Sequence, residues 1–559
     1  MDFLKEINRI ITESVSAAIK EAQRKGELPD ADEYSFSVEV PKDPSFGDFS
    51  TNAAMTGAKI FRKNPAQIAK TIVDNISLHP WLSSAEVAGA FINFRMSSDY
   101  FSDVVKSISS EGSEYGRSDF GAGKKVMVEY VSANPTGMMH MGNARGGALG
   151  DSLATVLKLT GFDVTREFYI NDAGNQIEKF KDSLEARYLQ HFLGQDAVEF
   201  PEDGYKGADI TDRAEEFIAF NGDKYLNAPS DERKQALLAY ALPKNMEIIR
   251  SNLEEYRAEY DNWFSESTLH KSGAVNEIID ILTKNGHTYS QDGALWYRAT
   301  DFGAEKDEVL IRKNGTPTYF AADIAYHRNK IVDRGFEKVI NIWGADHYGH
   351  IARLKGALDA IGVDSSKLDV IVVQLVRLLQ NGEAVKMSKR TGRSITLSDL
   401  FEMTGVDAAR FFFNLRRSDT HFDFDIDLSV AKTNQNPVYY VQYAHARICS
   451  ILSVLRAEGT DPDKKFTDIT YSEPAEKALI NSLASYPDEL VKTATDYDVS
   501  RITKYTVDLA TAFHAFYNDC RVRVDDEKVM YSRIALVKAV KTVLENALAV
   551  LKVTAPEKM

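Results

Sequence analysis

Apolar residues return every three to four positions through residues 2–25, which predicts an amphipathic helix, and alternate with polar ones in YSFSVEV (34–40), which predicts a strand. PKDPSFGDFS then turns the chain. Two more helices follow, the second opened by Asn64 and Pro65 in the cap and first-turn positions. AFINFRM (90–96) reads as another strand, and EGSEYGRSDFGAGKK (111–125), rich in Gly and Ser, as a linker. Residues 1–115 therefore predict a small α/β unit.

From residue 124 strands alternate with helices. KVMVEYV (125–131) is apolar enough for a buried strand, residues 143–160 carry a helical period, and DVTREFYI (163–170) is the next strand. KVINIWG (338–344), a helix over 349–361 and DVIVVQLVRLL (369–379) repeat the plan. Such alternation predicts a mostly parallel sheet within residues 116–430. About residues 178–285 read as a polar helical insertion that carries the turn FPEDGYKG (200–207). After DLSV (427–430) the strand signal ends, and the helical spacing of the remainder predicts a bundle over 431–559.

Length and composition narrow the class. A chain of 559 residues exceeds one ordinary core. It has no uncharged apolar run of 18 residues, and its N-terminus is charged and helical rather than a signal peptide, so a cytoplasmic location is expected. Cys449 and Cys520 stand alone, without CxxC or a Cys/His cluster, which argues against a disulfide framework or structural zinc. The net charge of −15 would argue against a nucleic-acid partner, but residues 431–559 hold 17 basic and 17 acidic residues, so the excess acid lies before them.

Two stretches carry candidate chemistry. ANPTGMMHMGNARG (133–146) joins the first buried strand to its helix, where free N–H groups meet anions. Gly137 and Gly142 would permit tight turning and close backbone approach, and His140 could donate to a phosphate oxygen. The spacing is neither GxGxxG nor GxxxxGK[ST]. Alone, this loop reads equally as an anion site or as a structural turn with a buried histidine. The second stretch has a hairpin signal, Asn381-Gly382, followed by KMSKR (386–390). It reads either as a solvated basic loop or as lysines that neutralise a departing polyphosphate.

Together, in this order and roughly 250 residues apart, they resemble the two signature motifs of class I aminoacyl-tRNA synthetases. His140-Met141-Gly142-Asn143 is similar to HIGH, with Asn143 in place of the final His, and Lys386-Met387-Ser388-Lys389-Arg390 to KMSKR. Asn retains a donor and an acceptor but carries no charge. EYVSANPTG (129–137), GFDVTREFYINDAGNQI (161–177), FPEDGYKG, WFSESTL (263–269), GADHYGH (344–350), NPVYYVQYAHARI (436–448), AFHAFYNDCRV (512–522), the terminal APEKM and FGDFSTNAAM (46–55) resemble the arginyl-tRNA synthetases, over essentially the whole chain. The resemblance implies a Rossmann-like parallel-sheet catalytic domain, an N-terminal α/β added domain that meets the tRNA elbow, and a C-terminal all-α anticodon-binding bundle.

It also implies roles. ATP, with Mg2+ as its companion rather than in a protein cage, would be held by Pro135, Gly137, His140, Gly142, Asn143, Lys386, Met387, Ser388 and Lys389. Losing either lysine is then expected to cost about 10²-fold in rate. A guanidinium is planar, always charged and best held by carboxylates. Tyr319, Asp323 and Glu266 would hold it, and Asn134 and His347 would position the ammonium and carboxylate, supported by Glu129. Tyr319 and Asp323 are four apart and can share a helix face, although an acid near a helix start also serves simply as a cap. His347 and His350 form HxxH without further His or Cys nearby, so no metal site is expected. Tyr440, Tyr443 and Arg447, on a helix that also carries Tyr439 and His445, could stack on unpaired anticodon bases or pack into the bundle. Phe46 and Phe49 flank the turn of the N-terminal unit, again for RNA or for packing. The family further implies tRNA-dependent arginine activation and a monomer. A cysteinyl-type synthetase would need a thiolate pocket this chain lacks, and a non-catalytic tRNA-binding paralogue would break the ATP motifs.

Overall fold

A computed structural model describes residues 2–41, 43–385 and 395–559. Its N-terminal unit runs α1 (Phe3–Arg24), β1 (Val38–Glu39), β2 (Phe49–Thr51), α2 (Ala53–Phe61), α3 (Pro65–Asn75), β3 (Leu82–Ala88), β4 (Phe91–Met96) and α4 (Ser98–Glu111). The strands pair antiparallel in the order β1-β2-β4-β3. Asn64 Oδ1 caps α3 by accepting from Ala66 N at 2.9 Å. The strand expected over 34–40 shrinks to two residues, because its neighbours bond to side chains instead of a ladder. Ser37 N donates to Asn52 Oδ1, Thr51 Oγ1 donates to Ser37 O, and the Tyr34 hydroxyl donates to Ala53 O. Phe49 is buried and Phe46 exposed. The expected linker 111–125 is docked rather than free: Tyr115 is buried, stacks on Tyr486 and donates to Leu483 O at 3.0 Å.

The central unit begins with β5 (Lys125–Glu129), α5 (Gly142–Leu159) and β6 (Asp163–Ile170). Three helices follow, α6 (Asn175–Leu193), α7 (Ala208–Asn221) and α8 (Ser230–Glu255), with an apolar cluster of their own around Phe180, Tyr188 and Phe217. Next come β7 (Asn262–Ser265), α9 (Ser267–Lys271), α10 (Ala274–Lys284), the antiparallel β8 (Thr288–Gln291), β9 (Ala294–Tyr297) and β10 (Glu308–Ile311), and α11 (Tyr319–Arg328). β11 (Lys338–Gly344), α12 (Tyr348–Ala360) and β12 (Leu368–Val373) complete the main sheet.

That sheet is parallel throughout, ordered β12-β11-β5-β6-β7. The stretch 178–285, read from sequence as helical, thus also supplies an edge strand, β7; its NWFS core is too short to signal one. DVIVVQLVRLL does not continue as one strand. It breaks after β12, where Gln374 N donates to Ser418 O, and resumes as β13 (Val376–Gln380) in a separate small sheet with β14 (Glu383–Ala384) and β15 (Phe422–Asp425). Asn381 and Gly382, at φ 54° and 75°, form the two-residue turn of the β13–β14 hairpin. Before β15 lie α13 (Leu397–Thr404) and α14 (Val406–Phe413), and after it α15 (Ile426–Val430).

The C-terminal bundle comprises α16 (Pro437–Ala457), α17 (Pro474–Ala484), α18 (Tyr486–Asp496), α19 (Ser500–Asp519) and α20 (Glu527–Val550). One continuous core joins the N-terminal unit, one face of the main sheet and this bundle; a second, around Tyr326, Ile324 and Leu354, covers the other face.

Candidate active site

In chain order the main sheet grows from β5 through β6 and β7 to one side, then from β11 through β12 to the other. The order therefore reverses between β5 and β11, and a crevice opens outside their carboxyl ends. The chain leaves β5 through a strained turn: Val131 and Ser132 both adopt left-handed backbone, at φ 68° and 43°. For a β-branched residue this costs on the order of 1–3 kcal/mol and persists only where surroundings enforce it. Its product is the aim of Ser132 Oγ, which donates to Glu129 Oε1 at 3.0 Å and accepts from Tyr169 N at 3.1 Å.

Gly137 and Gly142 lie outside the left-handed region, so the tight-turning role expected of them belongs to Val131 and Ser132. Close approach remains. A Cβ built on Gly142 would meet no described atom within 4 Å, so open space adjoins the first turn of α5. Asn245 Nδ2, from α8, holds the loop through Pro135 O at 2.9 Å. His140 is exposed and Asn143 half-buried, and the helix has no side-chain cap among the described residues. Asn143 N and Ala144 N donate back to His140 O and Met141 O, both at 2.9 Å, so the helix start offers the open space its dipole and the backbone at Gly142, an arrangement that attracts an anion.

Lys386, Met387, Ser388 and Lys389 lie outside the described residues, but both flanks are fixed. Val385 N donates to Leu378 O beside β13. At the other flank Met141 N donates to Ile395 O and Leu397 N to Met139 O, both at 3.0 Å, with His140 opposite Thr396. The chain therefore re-enters against the His140 loop itself. Arg145, buried in the first turns of α5, donates to the carbonyls of Gln374, Arg417 and Thr420 and ties this helix end to the strand break after β12.

Beside the helix end lies an acidic pocket. Glu129 closes β5 opposite Asn341 of β11. It is buried and paired with the fully buried Lys330, whose Nζ also donates to Asn341 Oδ1 at 3.1 Å and stands 3.9 Å over the Tyr326 ring. Asn341 Nδ2 donates in turn to His327 Nε2 at 2.7 Å, and His327 Nδ1 to Asp323 O at 2.8 Å. Burial, and then Lys330, hold His327 well below its ordinary range, so the ring is neutral, which fits one donor and one acceptor nitrogen.

Tyr319 opens α11 with 65% of its surface exposed, and Asp323, one turn on, is half-buried and accepts from His350 Nε2 at 2.9 Å. Glu266, between β7 and α9, is 4% exposed; its partners are His270 Nε2 and Asn171 Nδ2, each at 3.3 Å. Burial pushes its carboxyl up and Asp323 adds to this, against the hydrogen bond from His270 and the influence of the nearby Tyr169 hydroxyl. Asn134 and His347 are exposed, His347 3.5 Å from Asp346. Glu129, Glu266 and Asp323 thus come from three elements to one neighbourhood around Tyr169, whereas Asn134, Tyr319 and His347 are exposed. Sequence reasoning did not find Lys330, His327 or Asn341, and it weighed His350 only as a metal ligand. Among the described residues no cluster of His, Cys, Asp or Glu could hold a metal ion.

On the bundle, Tyr439 stacks on Tyr443, and Tyr440 and Tyr443 both pack on His514. Arg447 donates to the Tyr443 hydroxyl at 2.9 Å and lies 4.4 Å over the Tyr517 ring. These side chains are half-buried. His445, from the same helix, is instead fully buried against Pro556 O and Glu545.

Comparison with known proteins extends this picture. Residues 104–419 match the class I tRNA synthetase (R) catalytic domain, residues 9–96 the arginyl tRNA synthetase N-terminal domain and residues 441–559 the DALR anticodon-binding domain. The sheet, its switch point and these matches define a class I aminoacyl-tRNA synthetase. The arginine–tRNA ligase of Acetivibrio thermocellus is 54% identical over 99% of this chain and 98% of its own length. That of Ruminiclostridium cellulolyticum is 52% identical over 99% of both. Thermus thermophilus arginyl-tRNA synthetase shares the fold, with a TM-score of 0.70 at 22% identity over 97% of this chain and 99% of its own. The chain belongs to the arginyl-tRNA synthetase family, and it is an ATP-using arginine–tRNA ligase.

Proposed function

We propose that the crevice performs the two steps of its family with the following division of labour. One oxygen of the arginine carboxylate attacks the α-phosphate of ATP; its bond to the β-phosphate bridge breaks, and arginyl-adenylate and diphosphate form. A hydroxyl of the 3′-terminal adenosine of tRNA(Arg) then attacks the carbonyl, AMP leaves, and the hydroxyl proton is lost. The substrate carboxylate is already ionised, so the first step needs no general base. Catalysis there is positioning and charge stabilisation.

His140, Asn143 and the backbone at Gly142, with Pro135 and Gly137 behind them, hold ATP; Lys386 and Lys389, flanked by Met387 and Ser388, meet the charge on the diphosphate. Mg2+ accompanies ATP. Glu266, Asp323 and Tyr319 take the guanidinium, and Asn134 and His347 the ammonium and carboxylate. Glu129, locked to Lys330, supports this set from below. The observation that carries the reading is the pairing of Met139–Met141 with Ile395–Leu397, which seats the chain leaving KMSKR on the open end of α5. Residues 1–115 meet the tRNA elbow, 116–430 form the catalytic domain, and 431–559 read the anticodon through Tyr440, Tyr443 and Arg447. The enzyme acts as a monomer in the cytoplasm; among the described residues no helix is long and apolar enough to cross a membrane.

The test is ATP-dependent charging of unfractionated tRNA with each of the twenty amino acids, with ATP–diphosphate exchange measured with and without tRNA. Arginine alone should be charged, with exchange only when tRNA is present. Charging by another amino acid would overturn the pocket assignment, and no charging at all would make this a tRNA-binding paralogue.

A further inference from the structure

Tyr169 stands one residue before the end of β6 and only 9% of its surface is exposed. Its ring is fixed by Tyr326, 4.4 Å away between centroids, and by Phe264, stacked at 6.3 Å. Its hydroxyl is buried and makes no hydrogen bond of good geometry to any described residue, although the Glu266 carboxyl lies close enough to act on it. Burial, then Asp323, Glu266 and Glu129, hold the phenol well above its ordinary range, so it keeps its proton throughout the physiological range. The same acids proposed to receive arginine therefore surround one orphaned hydroxyl.

A buried polar group without a partner lowers stability, and folded proteins leave few of them. A neutral phenol can donate once and still accept. Glu266 is a ready acceptor for its proton. The acceptor side of the oxygen remains available for an N–H, with Asp323 and Glu129 close enough to act on it. A guanidinium brings five N–H donors in a fixed fork, more than one carboxylate can take.

We infer that Tyr169 is an arginine-binding residue: with substrate bound, its hydroxyl donates to Glu266 and accepts a guanidinium N–H, completing the array begun by Glu266 and Asp323. This rests on the reading that those two acids hold the guanidinium. The free enzyme then keeps an unsatisfied hydroxyl because the substrate satisfies it.

Tyr169→Phe separates this from a packing role, since it keeps the ring against Tyr326 and Phe264 and removes only the oxygen. The KM for arginine in tRNA charging should rise about ten- to hundredfold, as for loss of a hydrogen bond to a charged group, while the KM for ATP stays the same and kcat changes far less. The denaturation midpoint of the free variant should equal or exceed that of the parent enzyme. An unchanged arginine KM would overturn the inference, and so would a lowered midpoint, which would mean the hydroxyl is already partnered in the free enzyme. Glu266→Gln and Asp323→Asn, assayed alongside, separate the two readings. If they raise the arginine KM and Tyr169→Phe does not, only the role of Tyr169 falls; if neither acid variant raises it, the pocket assignment falls as well.

Discussion

Lys330 has no exposed surface and lies in a π-helical turn (Asn329–Asp333) that follows α11 directly. Such turns recur at functional sites because the extra residue re-aims a side chain. Here it turns Lys330 inward to Glu129. Breaking a buried pair by removing one partner leaves an uncompensated charge, so Lys330→Met should destabilise the protein by about 3–5 kcal/mol. Adding Glu129→Gln should recover part of this, and denaturant midpoints of the two single variants and the double variant give the coupling. His327, in the same network, makes a signed prediction. Its folded pKa lies well below the unfolded value near 6.5, so as pH falls below about 6.5 the unfolded chain takes up a proton that the folded one refuses. Stability should fall with pH there by up to about 1.4 kcal/mol per unit, and His327→Asn should flatten that slope. Glu129 and Asp323 could be picked out in the sequence because acids at a strand end and a helix start, inside a family motif, are recognisable. Lys330 could not: in HRNKIVDRG it looks like one solvated cation among several, and only the β5–β11 register and the π turn bury it.

The junction between the His140 loop and α13 is where two remote segments become one site. Thr396 pairs with His140 and also caps α13: its hydroxyl accepts from Asp399 N at 3.1 Å, and Asp399 Oδ2 accepts from Thr396 N at 2.9 Å. Removing a cap of this kind costs about 1 kcal/mol. Because the same residue fixes the chain leaving KMSKR, Thr396→Ala should slow ATP–diphosphate exchange and raise the KM for ATP while the arginine KM stays put. An equal rise in both would mean that the junction supports the whole pocket rather than the ATP side. Elements with their own local signals were foreseeable: α5 spans 142–159 against an expected 143–160, and Asn381-Gly382 makes its turn. Those decided by remote partners were not. YSFSVEV has a good alternation but spends its backbone groups on Asn52 and Thr51, and DVIVVQLVRLL is split because Ser418 and Arg145 bind the main chain of Gln374.

The bundle and the catalytic unit are bound together by the chain's own end, a connection that no spacing in the sequence announces. Arg410, fully buried, donates to Leu551 O at 2.7 Å and Tyr256 O at 2.8 Å and pairs with Asp151 of α5 at 2.6 Å, so the helix that presents His140 and Asn143 is linked to the end of α20. Beyond Leu551, Arg257 donates to Lys552 O at 2.8 Å, Gln442 to Thr554 O at 3.0 Å, Thr554 N to Asp407 at 3.2 Å and His445 to Pro556 O at 2.9 Å. Two of these four bonds involve α14 or the flank of α8 and two involve α16, so the tail bridges the two units, and Val553 adds a buried apolar contact. Four hydrogen bonds at about 0.5–1.5 kcal/mol each give a clamp on the order of 2–6 kcal/mol, small against the terms that hold the whole fold but large against a local opening. Deleting residues 552–559 should therefore leave the sheet and its ATP motifs intact while the bundle opens more often. Limited proteolysis should cut first around the chain between α15 and α16, and the KM for tRNA should rise with ATP affinity little changed. Unchanged cleavage together with an unchanged tRNA KM would show that the apolar core shared by α5, α14 and α20 holds the two units in register without the tail.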